Sequence, residues 1–237
     1  MKNSLTLLVL SMLVPSWLAA ADLTAEVKAA AKKLAEQPSY SWTSTPKYQP
    51  EFPGLSLSPT EGRTEKDGYT SVVFSYNDNE VEMAFKGGKG AIKLQDEWNS
   101  ESDLEGDREW IAQRLKKYKA AAGEAEELVG NASNLKKGDA GVVTGNLKEE
   151  AIKEILGRLN RRAASGAKDL KGTVKFWLKD GLLAKYEFNV QATVTVREEE
   201  MSVNLTTTVE AKDVGRTKVS VPDEAKKKLS SSQNKPA

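Results

Sequence analysis

The sequence predicts an α+β fold in which a strongly curved antiparallel sheet, an unclosed half-barrel, wraps around amphipathic helices. The first observation is the segment 182–196, where apolar side chains recur at every second position. A strand of that length would extend roughly 50 Å at about 3.3 Å per residue, and such long strands usually coil as parts of barrels or half-barrels. The second observation is that three segments, 22–37, 103–119 and 147–162, each carry one apolar stripe at helical spacing, which can cover the apolar side of the sheet.

Composition and charge exclude several classes of protein. The chain has 237 residues with no cysteine and no histidine, which excludes disulfide frameworks, zinc fingers, iron–sulfur clusters, histidine-containing catalytic triads and histidine-containing metal sites. Its 35 lysines and arginines balance 34 acidic residues. Because nucleic-acid-binding proteins usually carry a basic excess, we expect no nucleic-acid partner.

Residues 1–21 have the layout of a secretory signal peptide. A basic start at Lys2 is followed by an apolar run from Leu5 to Leu18, and three alanines then supply small residues at a cleavage site. A membrane anchor would need about 20 apolar residues, whereas this run is shorter and is interrupted by Pro15. No cysteine stands at the cleavage point for acylation, so we expect a periplasmic or secreted protein that does not span the membrane.

The next part of the chain, up to residue 94, predicts one helix followed by short strands. Asp22 or Thr24 can cap a helix that runs to Gln37 and is stopped by Pro38. After it come, in order, a strand at 40–44, a proline-rich connector at 46–62, and strands at 69–76, 80–86 and around 92–94. The short turns between the later strands indicate antiparallel hairpins.

The middle of the chain is expected to be helical. In the segment 103–119 acidic residues come early and basic residues late, an order that suits the helix dipole. A short helical piece is expected at 124–129. Asn146 is placed to cap a further helix at 147–162.

The last third of the chain returns to strands. Four strands are expected, at 173–179, 182–196, 201–209 and 217–221. Asp180–Gly181 is a tight-turn signal between the first two, and Glu198–Glu200 is expected to form the next turn. We expect one domain over residues 22–225 and a disordered, charged, serine-rich tail at 226–237.

One hairpin carries a resemblance to a known family. The segment 176–187 reads Phe-Trp-Leu-Lys-Asp-Gly-Leu-Leu-Ala-Lys-Tyr-Glu and resembles a strand–turn–strand pattern of the LolA/LppX-like lipoprotein-carrier superfamily. The stretches 213–215 and 219–222 resemble the closing strand of that superfamily, and the order of elements over 22–228 is similar. The resemblance implies an unclosed β-barrel lidded by helices, and a periplasmic carrier that holds acyl chains or another apolar molecule between sheet and helices.

No motif in the sequence points to catalysis. Three Ser-x-x-Lys matches lack the companion motifs of penicillin-binding enzymes and are explained by chance in a chain rich in serine and lysine. Asp78, Glu80 and Glu82 fit a hairpin better than a calcium-binding loop. We therefore expect no enzymatic activity, no catalytic residue, no metal and no cofactor.

The apolar side of the predicted sheet supplies the candidate ligand-binding residues. They share one face of their strands and are Val72, Phe74, Tyr76, Val81, Met83, Phe85, Tyr186, Phe188, Val190 and Val194. Two functions stay open. One is a carrier for a lipid or for the acyl chain of a lipidated protein; the other is an extracytoplasmic protein-interaction or structural domain whose groove is filled by its own side chains.

Overall fold

The computed structural model describes residues 16–49, 58–76, 79–159, 164–196 and 199–230. The strands are β1 Ser39–Tyr48, β2 Thr60–Glu65, β3 Thr70–Tyr76, β4 Asn79–Lys86, β5 Lys89–Leu94, β6 Glu97–Ser100, β7 Ala132–Lys137, β8 Val142–Leu147, β9 Lys168–Lys179, β10 Leu182–Val196 and β11 Glu199–Lys212. The helices are α1 Ser16–Ala35, α2 Glu109–Lys117, α3 Ala121–Gly130, α4 Glu149–Leu159 and α5 Asp223–Ser230.

The strands form a single open antiparallel sheet. Within the described residues, eleven strands pair in the order β6-β5-β4-β3-β2-β1-β11-β10-β9-β8-β7, so that two meanders are joined where β1 pairs with β11. The outermost strands, β6 and β7, do not pair with each other, and the sheet is therefore unclosed. The predicted α+β class and half-barrel architecture are confirmed.

The long hairpin of β9 and β10 has the predicted geometry. Asp180 and Gly181 both have positive φ angles, 53° and 72°, the conformation that a two-residue type I′ turn requires. The register between the two strands shifts at two places, between Leu183 and Lys185 and between Gln191 and Thr193. Such irregularities increase the local twist and bend of a strand, and they help the sheet to curve around the helices.

Helix α1 fills the concave side of the sheet. It packs against α3 and against β10, β9 and β7, and its apolar stripe is almost completely buried. The buried residues of this stripe are Val27, Ala30, Ala31 and Leu34. Helix α4 lies on β9 close to Gly172, where a Cβ atom would come within 2.8 Å of the Ile152 side chain. The absence of a side chain at this position therefore lets helix and strand approach closely.

The first meander of the sheet is covered on both faces. On the inner side α2 packs on β5 through Ala112 and Leu115, which lie in one cluster with Ile92 and Leu104. On the outer side α5 packs on β4, β5 and β6. The outer cluster consists of Ala84, Ala91, Trp98, Val221, Ala225 and Leu229.

The C-terminal segment differs from its prediction. No strand forms at 217–221, and residues 226–230, expected to belong to a disordered tail, lie in α5. The charged composition suggested disorder, but the spacing of Ala225 and Leu229 gives the helix a narrow apolar side that Trp98 helps to bury. Residues 231–237 lie outside the described part of the chain.

The helices of the middle segment also differ from their prediction. The helix expected at 103–119 is α2 preceded by two 3₁₀ turns, because Gly106 has a left-handed φ of 64° that an α-helix cannot accommodate. The short helix expected at 124–129 is α3, which is longer at both ends.

The helix expected at 147–162 starts late, at Glu149, and Asn146 does not cap it. Residues 142–147 instead form β8, whose hairpin with β7 carries no alternation clear enough to predict it.

The remaining differences concern boundaries and one turn. Strand β9 starts at Lys168 rather than at residue 173, and β11 ends at Lys212 rather than at residue 209. Helix α1 starts at Ser16, so that it runs through the predicted cleavage site, and it ends at Ala35 rather than Gln37. Strand β1 continues into the predicted connector through Pro46, and β2 and β6 were not predicted. Of the turn expected at Glu198–Glu200, the last two residues belong to β11 and the first lies outside the described residues.

Candidate functional site

Five of the ten candidate residues lie in the main hydrophobic core. Val72 on β3 and Tyr186, Phe188, Val190 and Val194 on β10 are each no more than 6% exposed. They belong to the same cluster as the buried stripe of α1 and the buried residues of α3. A ligand can reach this part of the inner face only if helices move away from the sheet.

The candidates on β3 and β4 lie closer to the surface. Met83 and Phe85 are half-buried and contact both the main core and the cluster under α2, which also includes Val81. Phe74 is half-buried and pairs with Val81 in the β3–β4 ladder. Tyr76 ends β3, and its side chain lies outside what the structure describes. The inner face is thus fully covered at β10 and only partly covered at β4.

A surface cleft opens at the β4 end of the inner face. We call it the mouth cleft; its volume is about 210 Å³. It lies between the β2–β3 turn, the β4–β5 turn and the connection from α2 to α3. Its lining residues are Gly68, Thr70, Phe85, Lys86, Gly87, Gly88, Leu115, Lys116, Tyr118 and Ala120.

Two stacked aromatic rings give the mouth cleft an apolar wall. The rings of Phe85 and Tyr118 are nearly parallel, with an interplanar angle of 11° and 4.2 Å between their centroids. Leu115 adds aliphatic surface beside them. Since Phe85 also packs into the core, the wall continues the apolar inner face of the sheet to the surface.

Two lysines add positive charge to the mouth cleft. The ammonium of Lys86 lies 4.3 Å from the centroid of the Tyr69 ring, a cation–π contact. Lys116 is exposed at the end of α2. Within the described part of the chain, neither ammonium forms an ion pair with a carboxylate.

A polar cluster joins the helices to the sheet deeper in the molecule. Glu124 of α3 accepts a hydrogen bond of 2.6 Å from the hydroxyl of Tyr186 on β10 and another of 2.9 Å from Nη1 of Arg158 on α4. Arg158 also lies 3.4 Å from Glu154 and 3.7 Å from Glu127. One carboxylate therefore connects two helices and the central strand.

Burial and neighbouring charges shift the pKa values of Arg158 and of three buried tyrosines. Burial, together with the negative charge of Glu124, raises the pKa of Tyr186 and of Tyr118 well above the usual tyrosine value. Burial raises the pKa of Tyr40 to about 12. Burial alone would lower the pKa of Arg158, but the negative charges of Glu124 and its neighbours outweigh that effect and raise it. The tyrosines are therefore neutral hydrogen-bonding groups and Arg158 is a cation.

The space between α3 and α4 is nearly filled. A pocket there, lined by the Glu124–Arg158 pair among others, has a volume of only about 10 Å³. Ligand sites for small molecules usually measure about 300–1,000 Å³, which exceeds both this pocket and the mouth cleft. In the conformation described, the groove is filled mainly by its own side chains.

The described residues contain neither a metal-binding cluster of carboxylates nor a membrane-spanning helix. They contain no group of three or more aspartate or glutamate side chains arranged to hold a metal ion. None of the helices in the same part of the chain combines the length and the apolar character needed to cross a membrane.

Two solved structures are similar to this chain over most of its length. LprF from Mycobacterium bovis matches 86% of this chain and 98% of its own, with 13% identity and a TM-score of 0.42. The LolA superfamily protein NE2245 from Nitrosomonas europaea matches 84% of this chain and 94% of its own, with 9% identity and a TM-score of 0.32. The second protein belongs to the LolA superfamily, which the sequence resembles. No protein-family model and no curated protein matches the chain. Because both TM-scores are below 0.5, neither match carries an argument about function.

Sequence reasoning did not find the polar cluster or the mouth cleft. Glu124 stands in an ordinary acidic helix, and Arg158 and Tyr186 are far from it in sequence. The lysines of the cleft lie on separate elements, brought together by the packing of α2 on the β4–β5 hairpin. The only local signal was the Gly87–Gly88 turn between Lys86 and Lys89.

Proposed function

We propose that this protein is an exported, non-enzymatic carrier that holds an apolar ligand, a lipid or the acyl chain of a lipoprotein, between its curved sheet and its helices. The observation that carries this proposal is that the apolar inner face reaches the surface at the mouth cleft, along the stacked rings of Phe85 and Tyr118. The half-buried side chains of Val81 and Met83 extend that surface inward.

Helix α2 is the element that has to move to admit an acyl chain. It covers Ile92 and the inner side of β4 and β5 through a small cluster that is separate from the main core around α1. Non-helical backbone lies on both sides of it: Gly106, in the preceding 3₁₀ turn, has a positive φ, and Tyr118, which follows it, is extended. An outward movement of α2 would join the mouth cleft to the space over Met83, Phe85 and Ile92.

Export is part of the proposal. It is supported by the signal-peptide pattern of residues 1–21, and the lack of any cysteine leaves the mature chain without a site for N-terminal lipid attachment. We therefore propose a periplasmic or secreted location.

A second function is favoured by the filled interior. The candidate residues on β10 are fully packed, and the Glu124 cluster holds α3 and α4 against the sheet. A protein-interaction or structural domain needs no cavity, and the same packing would serve it as a rigid scaffold.

Lipid binding distinguishes the two functions. The mature protein, purified without detergent, is extracted with organic solvent for mass spectrometry, and the delipidated protein is titrated with the fluorescent fatty acid cis-parinaric acid. The carrier function predicts co-purified lipid or saturable uptake that oleate competes. No lipid and no saturable uptake would favour the interaction domain.

A further inference from the structure

We propose that the mouth cleft binds the anionic headgroup of an amphiphile, an oxyanion such as a phosphate monoester or a carboxylate attached to an apolar chain. This inference rests on the proposed function, since it specifies the end of the ligand that remains at the surface. It goes further in naming the charge of the ligand and the two side chains that recognise it.

The charge of the cleft is the first argument. Its lining contains two lysines and no acidic residue. The chain as a whole is nearly neutral, with a formal net charge of +1, and many of its surface lysines lie within 4 Å of a carboxylate. Lys86 and Lys116 both belong to the lining of the cleft, and neither has a carboxylate partner among the described residues. An anion bound in the cleft could form charge-assisted hydrogen bonds with the ammonium groups of both lysines.

The shape of the cleft is the second argument. Gly87 and Gly88 form the turn at its rim and carry no side chains, so an oxyanion can approach the backbone there. The Thr70 hydroxyl already shares a hydrogen bond of 2.7 Å with the Thr64 hydroxyl. The lysine ammonium groups are the charged hydrogen-bond donors of the lining. A volume of about 210 Å³ suits a headgroup rather than a whole lipid.

The apolar wall explains why the ligand carries a chain. Next to the lysines, the rings of Phe85 and Tyr118 and the side chain of Leu115 offer no charge to a free inorganic anion. They lie in the direction of the core, so a chain attached to the anion can continue along them beneath α2. The cleft therefore favours an amphiphile over inorganic phosphate.

Calorimetric titration of the mature protein tests the inference with three probes. They are octyl phosphate, inorganic phosphate, and octyl glucoside, which has the chain without the charge. Octyl phosphate is expected to bind saturably and at least about tenfold more tightly than either of the others. The variant with Lys86→Gln and Lys116→Gln is expected to lose about tenfold or more in affinity for octyl phosphate. The matched control carries Lys117→Gln and Lys171→Gln, two exposed lysines outside the cleft lining, and should bind like the unmodified protein.

The outcomes separate this inference from the proposed function. Equal binding by the two double variants, or octyl glucoside binding as tightly as octyl phosphate, would overturn the headgroup site. If inorganic phosphate bound as tightly as octyl phosphate, the claim that the ligand carries an apolar chain would be refuted, and the cleft would be a simple phosphate site. The lysine substitutions alter only the headgroup site, so their effect can be separated from the uptake of long fatty acids. Uptake of cis-parinaric acid that the lysine variant leaves unchanged would support the carrier and refute the headgroup site.

Discussion

The hydroxyl of Tyr186 donates a hydrogen bond of 2.6 Å to Oε2 of Glu124, and this contact ties the inner face of β10 to α3. The other oxygen of the same carboxylate is held by Arg158 of α4. The Glu124 side chain is only 22% exposed, so water can replace these partners only in part. Directional polar contacts therefore hold α3 and α4 on the sheet in addition to apolar packing.

Removal of the Tyr186 hydroxyl is expected to destabilise the protein. In Tyr186→Phe the Glu124 carboxylate loses a donor while Arg158 still holds the other oxygen, and we expect a loss of about 1–2 kcal/mol in the free energy of unfolding. Urea denaturation followed by far-ultraviolet circular dichroism measures it. As a control, Tyr48→Phe removes a hydroxyl from the less buried Tyr48 on β1. An equal loss in both variants would contradict a special role for the Tyr186 contact.

The buried tyrosines predict a loss of stability at alkaline pH. Folding raises the pKa of Tyr40 to about 12 from an ordinary value of 10.0, and raises that of Tyr118 and Tyr186 well above it. Since the folded state favours the neutral hydroxyl, this stabilisation is complete below about pH 10 and is lost as pH rises through the folded-state pKa. Absorbance at 295 nm should show that Tyr40 ionises only near pH 12, and Tyr118 and Tyr186 only well above pH 10, or on unfolding. A single transition of all six near pH 10 would refute the burial of these hydroxyls.

A methyl group at Gly62 is expected to be damaging. An added Cβ atom there would lie 2.0 Å from the indole of Trp42, its neighbour across the β1–β2 ladder, so the ring would have to move. We expect Gly62→Ala to cost about 1–3 kcal/mol and to change the tryptophan fluorescence of the folded protein. Gly166→Ala is the matched control, since a Cβ atom there would have no neighbour within 4 Å. Equal stability of the two variants would contradict the packing of Trp42 on β2.

A carboxylate on the inner face of β10 is expected to prevent folding. Val190 is fully buried, and Val190→Asp would place an unpaired charge in the core, at a cost of several kcal/mol. The neighbouring Gln191 is exposed on the other face, so Gln191→Asp should leave stability within about 0.5 kcal/mol of the parent. Circular dichroism and solubility measure both. A folded Val190→Asp protein would show that this face is not the core.

The prediction of β10 shows what the sequence can specify. Its alternation continues from Leu182 to Val196, and the observed strand has the same limits, because period-two patterning reports directly which side chains face the core. The hairpin of β7 and β8 was missed because its lysines, glycines and asparagines leave only one face with a few apolar residues. Contacts between distant segments, such as Glu124 with Tyr186, leave no local pattern and could not be predicted.

The covering of the outer face by α5 gives a further prediction. Leu229 is buried against the sheet with Trp98, so Leu229→Ala should cost about 2–3 kcal/mol and shift the fluorescence of the folded protein to the red. Lys227→Ala alters an exposed residue of the same helix and serves as the control. If Leu229→Ala were as stable as the control, residues 226–230 would not be part of the packed domain.

Hydrogen exchange of the delipidated protein, measured by mass spectrometry with and without oleate, tests the central claim most directly. If an acyl chain lies between α2 and the first meander, oleate should slow exchange most strongly in peptides covering β3, β4, β5 and α2. Peptides from α5, Asp223–Ser230, should change little. No change on saturation with oleate, or protection confined to other parts of the chain, would contradict a ligand held between sheet and helices.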